Sequence, residues 1–191
     1  MFFGLFRRSA NQAVIERLYT VLVAASRQPA LFTGLGMADT FEGRFESLTL
    51  HAALVLRALN ALPAPGPDLA QDLVDAIFRH FDRTLREMGV GDTVVPKRMK
   101  ALAGAFLGRS AAYDEALREG HERLAQALSR NILYPAKDES GAGPADGALA
   151  ALTRYAEAVA AGLSGLPAQI FIDGAVPFPD PAAFMPEELV S

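Results

Sequence analysis

The chain has 191 residues, of which 51% are hydrophobic and 21% charged, with a formal net charge of −4 and no cysteine. This length and composition favour one globular domain with a substantial core. The lack of thiols excludes disulfides, zinc thiolate sites and cysteine catalysis. The mild negative charge gives no reason to expect a nucleic-acid partner.

The chain opens with an apolar and basic segment over residues 1–17. Three phenylalanines come before two arginines in this segment: Phe2, Phe3, Phe6, Arg7 and Arg8. A secretory signal has its charges before its apolar region, so this order argues against secretion. Two interpretations remain open. The segment contacts an anionic membrane surface, or its apolar first turn packs against the core.

Hydrophobic periodicity predicts an all-α protein, a single bundle of about six helices. Apolar residues recur at three- and four-residue steps in segments near 9–28, 39–62, 68–88, 96–108, 110–132 and 149–163. Asp39 and Glu42 have the spacing of a capping box at the start of the second helix. Helices with short connections and no alternating strand pattern are typical of a bundle.

The rest of the organisation follows from composition. We expect a helical core over 18–134, a linker over 135–147, and a C-terminal helix and tail over 148–191. The linker is rich in proline, glycine and small polar residues. In the tail, Ile170-Phe171-Ile172 is β-prone, and four prolines follow between positions 177 and 186. We therefore predict an extended, proline-rich C-terminal tail that lies across the surface or is partly disordered.

The residue patterns indicate no catalytic site, metal site or cofactor. His51, His80 and His121 fall on three different predicted helices, and none has metal-ligand spacing. Gly89-Val90-Gly91 lacks the third glycine of a nucleotide fingerprint and is better explained as a turn that ends a helix. No nucleophile-elbow pattern occurs. We therefore predict that the protein is not an enzyme.

The most unusual stretch is Phe81–Arg109. Residues of both charge signs surround a glycine joint at Gly89–Gly91, and the next segment has four basic residues and no acid: Lys97, Arg98, Lys100 and Arg109. Such a locally positive surface attracts an acidic protein segment or an anionic membrane. The alternative is that these cations lie on a solvent-exposed helix face, where neighbouring helices balance their charge and no partner binds. Asp82 and Arg86, four residues apart, have the spacing of an internal ion pair.

Ordered blocks of sequence resemble the ubiquinol–cytochrome c chaperone family, the assembly factors of respiratory complex III. The blocks extend over roughly residues 18–134 in the order that the family shows. They are Leu18-Tyr19 with Ala24–Pro29, Gly36 with Asp39-Thr40 and Gly43-Arg44-Phe45, His51 with Leu54–Arg57, Asp82-Arg83 with Leu85–Asp92 and Lys97-Arg98, then Gly108-Arg109, Tyr113-Asp114 and Arg130-Asn131. The Asp82–Asp92 block is the most distinctive of them.

The resemblance implies a chaperone without catalytic residues. Family members bind newly made cytochrome b and assist its haem acquisition and its assembly into complex III. The expected partner is thus cytochrome b or another complex III component. Mitochondrial members have a long N-terminal extension, whereas the match here begins at Leu18. We therefore expect a bacterial-type member in the bacterial cytoplasm, or peripheral on the inner membrane.

On this hypothesis the stretch around the glycine joint binds the client. The predicted client-binding residues are Arg83, Arg86, Gly89, Gly91, Lys97, Arg98, Lys100 and Arg109. The predicted ion-pair residues are Asp82, Glu87, Asp92, Asp39 and Arg44. An alternative function is a peripheral membrane or lipid-binding helical module, which would use Phe2–Arg8 and the basic helix.

Overall fold

The computed structural model describes residues 3–133 and 147–186, with the backbone alone for residues 3–10. Within these ranges the fold is all-α and contains no strand, as the sequence predicts. The α-helices are α1 Phe3–Ser26, α2 Pro29–Thr33, α3 Phe41–Asn60, α4 Gly66–Glu87, α5 Val95–Glu119, α6 His121–Leu128, α7 Ala148–Leu163 and α8 Ala168–Asp173. A π-helical turn, Ser129–Leu133, follows α6, and a 3₁₀ turn, Pro181–Phe184, follows α8.

The helix α3 runs through the centre of the molecule. Fourteen of its 20 residues are buried, and it packs against α1, α4, α5 and α7. Such a helix is apolar around most of its circumference, as central helices are. It is preceded by Thr40, whose side chain accepts a hydrogen bond from the Gly43 amide at 3.1 Å. Thr40, and not the predicted Asp39, is therefore the N-cap.

The helices α4 and α5 pack through aromatic side chains. The Phe78 ring lies 5.4 Å from the Phe106 ring, and the Phe81 ring lies 5.5 Å from that of Phe45 on α3. Few side chains of α5 are buried, only 4 of its 25 residues. One face of α5 is therefore left open to solvent.

The helix α5 continues through the position where the sequence predicts a break. Its periodicity predicts two helices, over 96–108 and 110–132, with the break at Gly108. Phe106 and Tyr113, seven residues apart, are both fully buried on one face of α5. Because both sides of Gly108 are held by this packing, the helix persists there. The break lies instead at Gly120, whose φ of 105° few other residues adopt.

The C-terminal region differs from the extended tail that the sequence predicts. Residues 168–173 form α8, which buries Phe171 completely. Beyond it the Phe178 ring lies 5.7 Å from His51, and the Phe184 ring lies 5.6 Å from Tyr155. Burial of these aromatic side chains against the core outweighs the β propensity of the segment. The region therefore completes the core.

One predicted segment boundary falls within a helix, and the predicted linker is almost entirely outside the described residues. The boundary between residues 17 and 18 lies inside α1, where Ile15, Leu18 and Leu22 form one buried stripe. The predicted linker over 135–147 lies outside the described residues, except for Gly147.

Candidate functional site

The joint between α4 and α5 projects into open space. Gly89 has a φ of 77°, which favours glycine. A Cβ atom added at Gly89 or at Gly91 would have no neighbouring atom within 4 Å. Met88 and Val94, on either side of the joint, are 57% and 44% exposed. Two large apolar side chains therefore face solvent at this corner.

An internal ion-pair network holds the joint. Arg86 Nε lies 2.8 Å from Asp82 Oδ2, and Arg86 Nη1 lies 2.5 Å from Asp92 Oδ1. The hydrogen bond from Arg86 lowers the pKa of Asp82 below its usual value. Because Asp82 lies on α4 and Asp92 lies beyond the glycines, Arg86 connects the two sides of the joint. Arg86 is thus committed to internal carboxylates.

Three cations on the first turns of α5 have no such partner. Lys97, Arg98 and Lys100 are exposed, and none forms an ion pair with any residue that the structure describes. Further along the same helix, Leu107 is 59% exposed. A Cβ atom at Gly104 or Gly108 would meet nothing within 4 Å, so the helix surface is also open there.

Arg83 lies on α4 at the edge of this region. It is exposed and lines a shallow groove whose other residues are Asp75, Phe78, Arg79, Asp82 and Arg86. We call the exposed set made by Arg83, Met88, Val94, Lys97, Arg98, Lys100 and Leu107 the α4–α5 surface. Among the described residues, the large apolar side chains that are exposed all belong to it.

Arg109 does not join the other cations of its helix. Its Nε lies 2.5 Å from Glu46 Oε2 on α3, and its guanidinium lies 5.8 Å from the centre of the Phe45 ring. The Glu46 side chain is only 9% exposed. Burial raises the pKa of Glu46 to about 7, although Arg109 acts in the opposite direction. The pair connects α5 to α3, and the Arg109 guanidinium is thus engaged within the protein.

The other predicted site residues lie elsewhere or lack partners. Arg44 Nε lies 2.7 Å from Asp39 Oδ1, and the Arg44 guanidinium also lies over the Phe32 ring. Glu87 is exposed and has no ion pair among the described residues. Phe2 lies outside the described residues. The side chains of Phe3, Phe6, Arg7 and Arg8 do as well, although their backbone belongs to α1.

The histidines have structural partners. His51 Nδ1 donates a hydrogen bond to the Ser47 carbonyl at 2.7 Å, and its Nε2 accepts one from the Tyr155 hydroxyl at 2.8 Å. Burial lowers the pKa of His51 to about 4, so the ring is neutral. His80 and His121 each contact one carboxylate. Over the described ranges no group of three or more His, Cys, Asp or Glu residues is placed to hold a metal.

Two polar clusters on α5 were not predicted from the sequence. Buried Tyr113 lies near Glu46 and Arg109, and its pKa is raised by burial. On another side of α5, the Asp114 carboxylate accepts hydrogen bonds from Arg57 and Arg118. The four-residue spacing of Asp114 and Arg118 indicates one of the two ion pairs in that cluster. Arg57 lies 57 residues away along the chain, and nothing in the sequence marks that contact.

Comparison with known proteins places the chain in a family. The model of the family described as "Ubiquinol-cytochrome C chaperone" matches residues 33–178, more than half of the chain. The chain belongs to the ubiquinol–cytochrome c chaperone family. A crystal structure of the Cbp3 homolog from Brucella abortus superimposes with a TM-score of 0.78 and 36% sequence identity. The superposition covers 95% of this chain and 98% of the Brucella chain, and it confirms the all-α fold.

Two curated relatives are assembly factors of complex III. A ubiquinol-cytochrome c reductase complex assembly factor 1 from Mus musculus is 26% identical over 116 residues, which are 61% of this chain and 39% of that protein. The corresponding protein from Xenopus laevis is 23% identical over 123 residues, 64% of this chain and 62% of that protein. The match thus spans less than two thirds of each curated relative. The family predicted from the ordered sequence blocks is confirmed.

Proposed function

We propose that the protein is an assembly chaperone for the cytochrome b subunit of ubiquinol–cytochrome c reductase. On this proposal it binds the newly made membrane subunit through the α4–α5 surface and catalyses no reaction. It works in the bacterial cytoplasm, at the inner membrane, without nucleic acid. Family membership supports the complex III role, and the surface supports the mode of binding.

One observation carries the choice of surface. Of the exposed large apolar side chains of the described chain, Met88 and Val94 lie at the joint next to the unpaired cations of α5, and Leu107 lies further along the same helix. Exposed apolar groups next to charges are typical of protein interaction sites. A polytopic membrane protein offers apolar helices joined by charged loops. Met88, Val94 and Leu107 would contact the helices, and the cations would bind acidic loop residues.

Arg86 and Arg109 have a different role in this proposal. Each is engaged by a carboxylate of the protein itself. Arg86 sets the geometry of the joint, and Arg109 sets the position of α5 on α3. They are therefore positioning residues for the surface, whereas Arg83, Lys97, Arg98 and Lys100 are the contact residues.

The function is tested by deletion of the gene in its native host. We expect loss of assembled complex III and of cytochrome b, with the other respiratory complexes retained, as measured by membrane spectra and native gels. Restoration by the wild-type gene is the control. Normal cytochrome b in the deletion strain would refute the chaperone role.

The surface is tested by reversing its charge. Lys97, Arg98 and Lys100 replaced together by Glu should reduce capture of cytochrome b at least about tenfold, because attraction becomes repulsion. Capture is measured by affinity pulldown from solubilised membranes. The matched control reverses three exposed arginines outside the surface, Arg27, Arg123 and Arg130. Both variants should show the helical circular dichroism of the wild type, and equal capture by both would show that the surface is wrongly assigned.

A second candidate function is supported by the same corner. A projecting joint with exposed Met88 and Val94 beside lysine and arginine also fits an anionic lipid surface. None of the described helices has the length and apolarity to cross a membrane. Flotation with vesicles that contain or lack phosphatidylglycerol separates the two candidates. Binding to the anionic vesicles that the Lys97, Arg98 and Lys100 reversal abolishes, without any capture of cytochrome b, would favour the lipid-binding module.

A further inference from the structure

A cavity of about 570 Å³, partly open to solvent, lies between α3, α5 and α7. Its volume falls within the usual range of small-molecule sites. Aliphatic side chains of three helices form its walls, among them Leu54, Ala58, Ala111 and Ala160. The site is separate from the α4–α5 surface and shares no residue with it.

Charged groups converge at this cavity. The Asp114 carboxylate accepts hydrogen bonds from both Arg57 and Arg118, and Arg57 Nη1 also donates to the Asp114 carbonyl at 3.3 Å. Of the described residues that line the cavity, these three are the charged ones. Two cations and one anion leave one positive charge unbalanced. Both guanidiniums retain N–H groups that Asp114 does not use.

A buried hydroxyl adds to this polar end. Ser110 lines the cavity, and its Oγ is shielded from solvent and has no hydrogen-bond partner among the described residues. Buried polar groups are nearly always paired, and one without a partner calls for an explanation. Rotation of the Ser110 side chain about χ1 would turn the hydroxyl towards the cavity, where a ligand oxygen would provide the partner and would also balance the charge.

The walls define the remainder of the ligand. No aromatic side chain is present among the described lining residues, so a planar ring system would have nothing to stack on. The same residues include no histidine or methionine that would ligate a metal. Small aliphatic walls instead fit a flexible alkyl chain, whose burial is favourable in proportion to its apolar area.

We propose that this cavity binds a single-chain amphipathic anion, with the anionic head at Arg57, Arg118 and Ser110 and the alkyl chain along α3 and α7. A carboxylate and a phosphate each accept paired hydrogen bonds from a guanidinium. Both head groups belong to the proposed class. This proposal does not rest on the function proposed above.

The test is isothermal titration calorimetry of the full chain with four ligands of equal chain length, each below its critical micelle concentration. Dodecanoate and dodecyl phosphate supply the two anionic heads, dodecanol a neutral head and dodecyltrimethylammonium a cationic one. We expect saturable one-to-one binding of at least one anion, and at least about tenfold weaker binding of the alcohol and of the cation. The anion that binds more tightly identifies the head group.

Variants locate the ligand. Arg118→Gln removes one donor of the polar end and should weaken anion binding about tenfold. Ala111→Phe fills the cavity from an exposed position on α5 and should abolish binding. The matched control is Arg123→Gln, since Arg123 pairs with Glu119 four residues away and is 60% exposed, against 63% for Arg118. Arg123 does not line the cavity, and its variant should bind like the wild type.

Three results would overturn the proposal. They are no saturable binding of either anion, equal binding of the alcohol, and unchanged anion binding in Arg118→Gln. If Ala111→Phe does not fold by circular dichroism, the exposed Arg118 and Arg123 pair of variants still decides the question.

Discussion

The helices α3 and α5 are similar in length but differ in what surrounds them. Fourteen of the 20 residues of α3 are buried, whereas 4 of the 25 residues of α5 are. The buried histidine of α3, His51, has hydrogen-bond partners within the protein in Ser47 and Tyr155. The cations at the start of α5 have none in the described part of the chain. The core therefore depends on α3, while much of α5 is free to contact another molecule.

This contrast has a functional meaning. Apolar side chains on α3 stabilise the fold because burial removes their surface from water. Three side chains that are as apolar as those of α3 remain in contact with water: Leu107 on α5, and Met88 and Val94 at the joint. Since they add little to the stability of the isolated chain, their contribution is expected on binding. The two helices therefore predict opposite consequences for the same substitution.

The largest expected effect separates the helices directly. Leu50→Ala on α3 removes a fully buried side chain and should lower the free energy of unfolding by about 3–5 kcal/mol. Leu107→Ala on α5 removes a side chain that is 59% exposed and should change it by less than about 0.5 kcal/mol. Urea denaturation followed by circular dichroism measures both. In pulldown of cytochrome b we expect the reverse order, with Leu107→Ala weakened and folded Leu50→Ala unaffected. Equal stability losses would remove the distinction between the helices.

The next effect concerns the buried histidine of α3. The pKa of His51 is about 4 in the folded protein, against 6.5 for the unperturbed group. The unfolded chain therefore takes up this proton first as the pH falls. The stability due to the neutral ring is fully present above pH 6.5 and is lost towards pH 4, by about 3 kcal/mol in total.

The contribution of His51 is isolated by comparison with His51→Gln, which keeps a donor and an acceptor but does not titrate. Unfolding free energies of both proteins are measured between pH 4.5 and 7. The difference between them should favour the wild type increasingly as the pH rises. A difference that stays constant with pH would show that His51 is protonated alike in both states.

The ion pair between the two helices should respond to pH with the opposite sign. The pKa of Glu46 is about 7 when folded, against 4.5 for the unperturbed group, because the carboxyl is buried. The folded chain thus retains a proton that the unfolded chain loses. The contribution to stability is present below pH 4.5 and is lost as the pH rises through 7.

Glu46→Gln should therefore be more stable than the wild type at pH 8, by about 2 kcal/mol, and similar to it near pH 4.5. Arg109 remains next to a polar side chain in this variant. The control is Glu119→Gln, which alters an exposed pair on the same helix, α5. A Glu46→Gln variant that is less stable at pH 8 would show that attraction to Arg109 exceeds the cost of burying the carboxylate.

Sequence periodicity predicted the helical class because apolar spacing is a local property. It located most long helices but divided α5 at Gly108, since local propensity does not register that Phe106 and Tyr113 pack on one core. It also missed α8, where burial of Phe171 overrides the β propensity of its neighbours. Both errors arise from contacts between residues distant in the chain.

The candidate site was predictable to a similar extent. The basic run and the glycine joint are visible in the sequence, and the spacing of Asp82 and Arg86 indicates their pairing. The partner of Arg109 is not visible, because Glu46 lies on another helix. Sequence alone therefore grouped Arg109 with the other cations of its helix, whereas the folded chain pairs it with Glu46. The cavity beside Asp114 is likewise formed only when three helices meet.

The smallest predicted effect concerns the two glycines of the joint and tests whether its shape matters. Gly89 has a φ of 77°, whereas Gly91 is not among the glycines with positive φ, and neither position is crowded. Gly89→Ala should therefore lower stability by about 1 kcal/mol through backbone strain. Gly91→Ala should be neutral or raise stability by up to about 1 kcal/mol, because it restricts only the unfolded chain. Thermal melts measure both, and pulldown of cytochrome b shows whether a strained joint also weakens capture. Equal melts for the two variants would mean that the joint relaxes freely, and the network around Arg86 would then not fix the angle between α4 and α5.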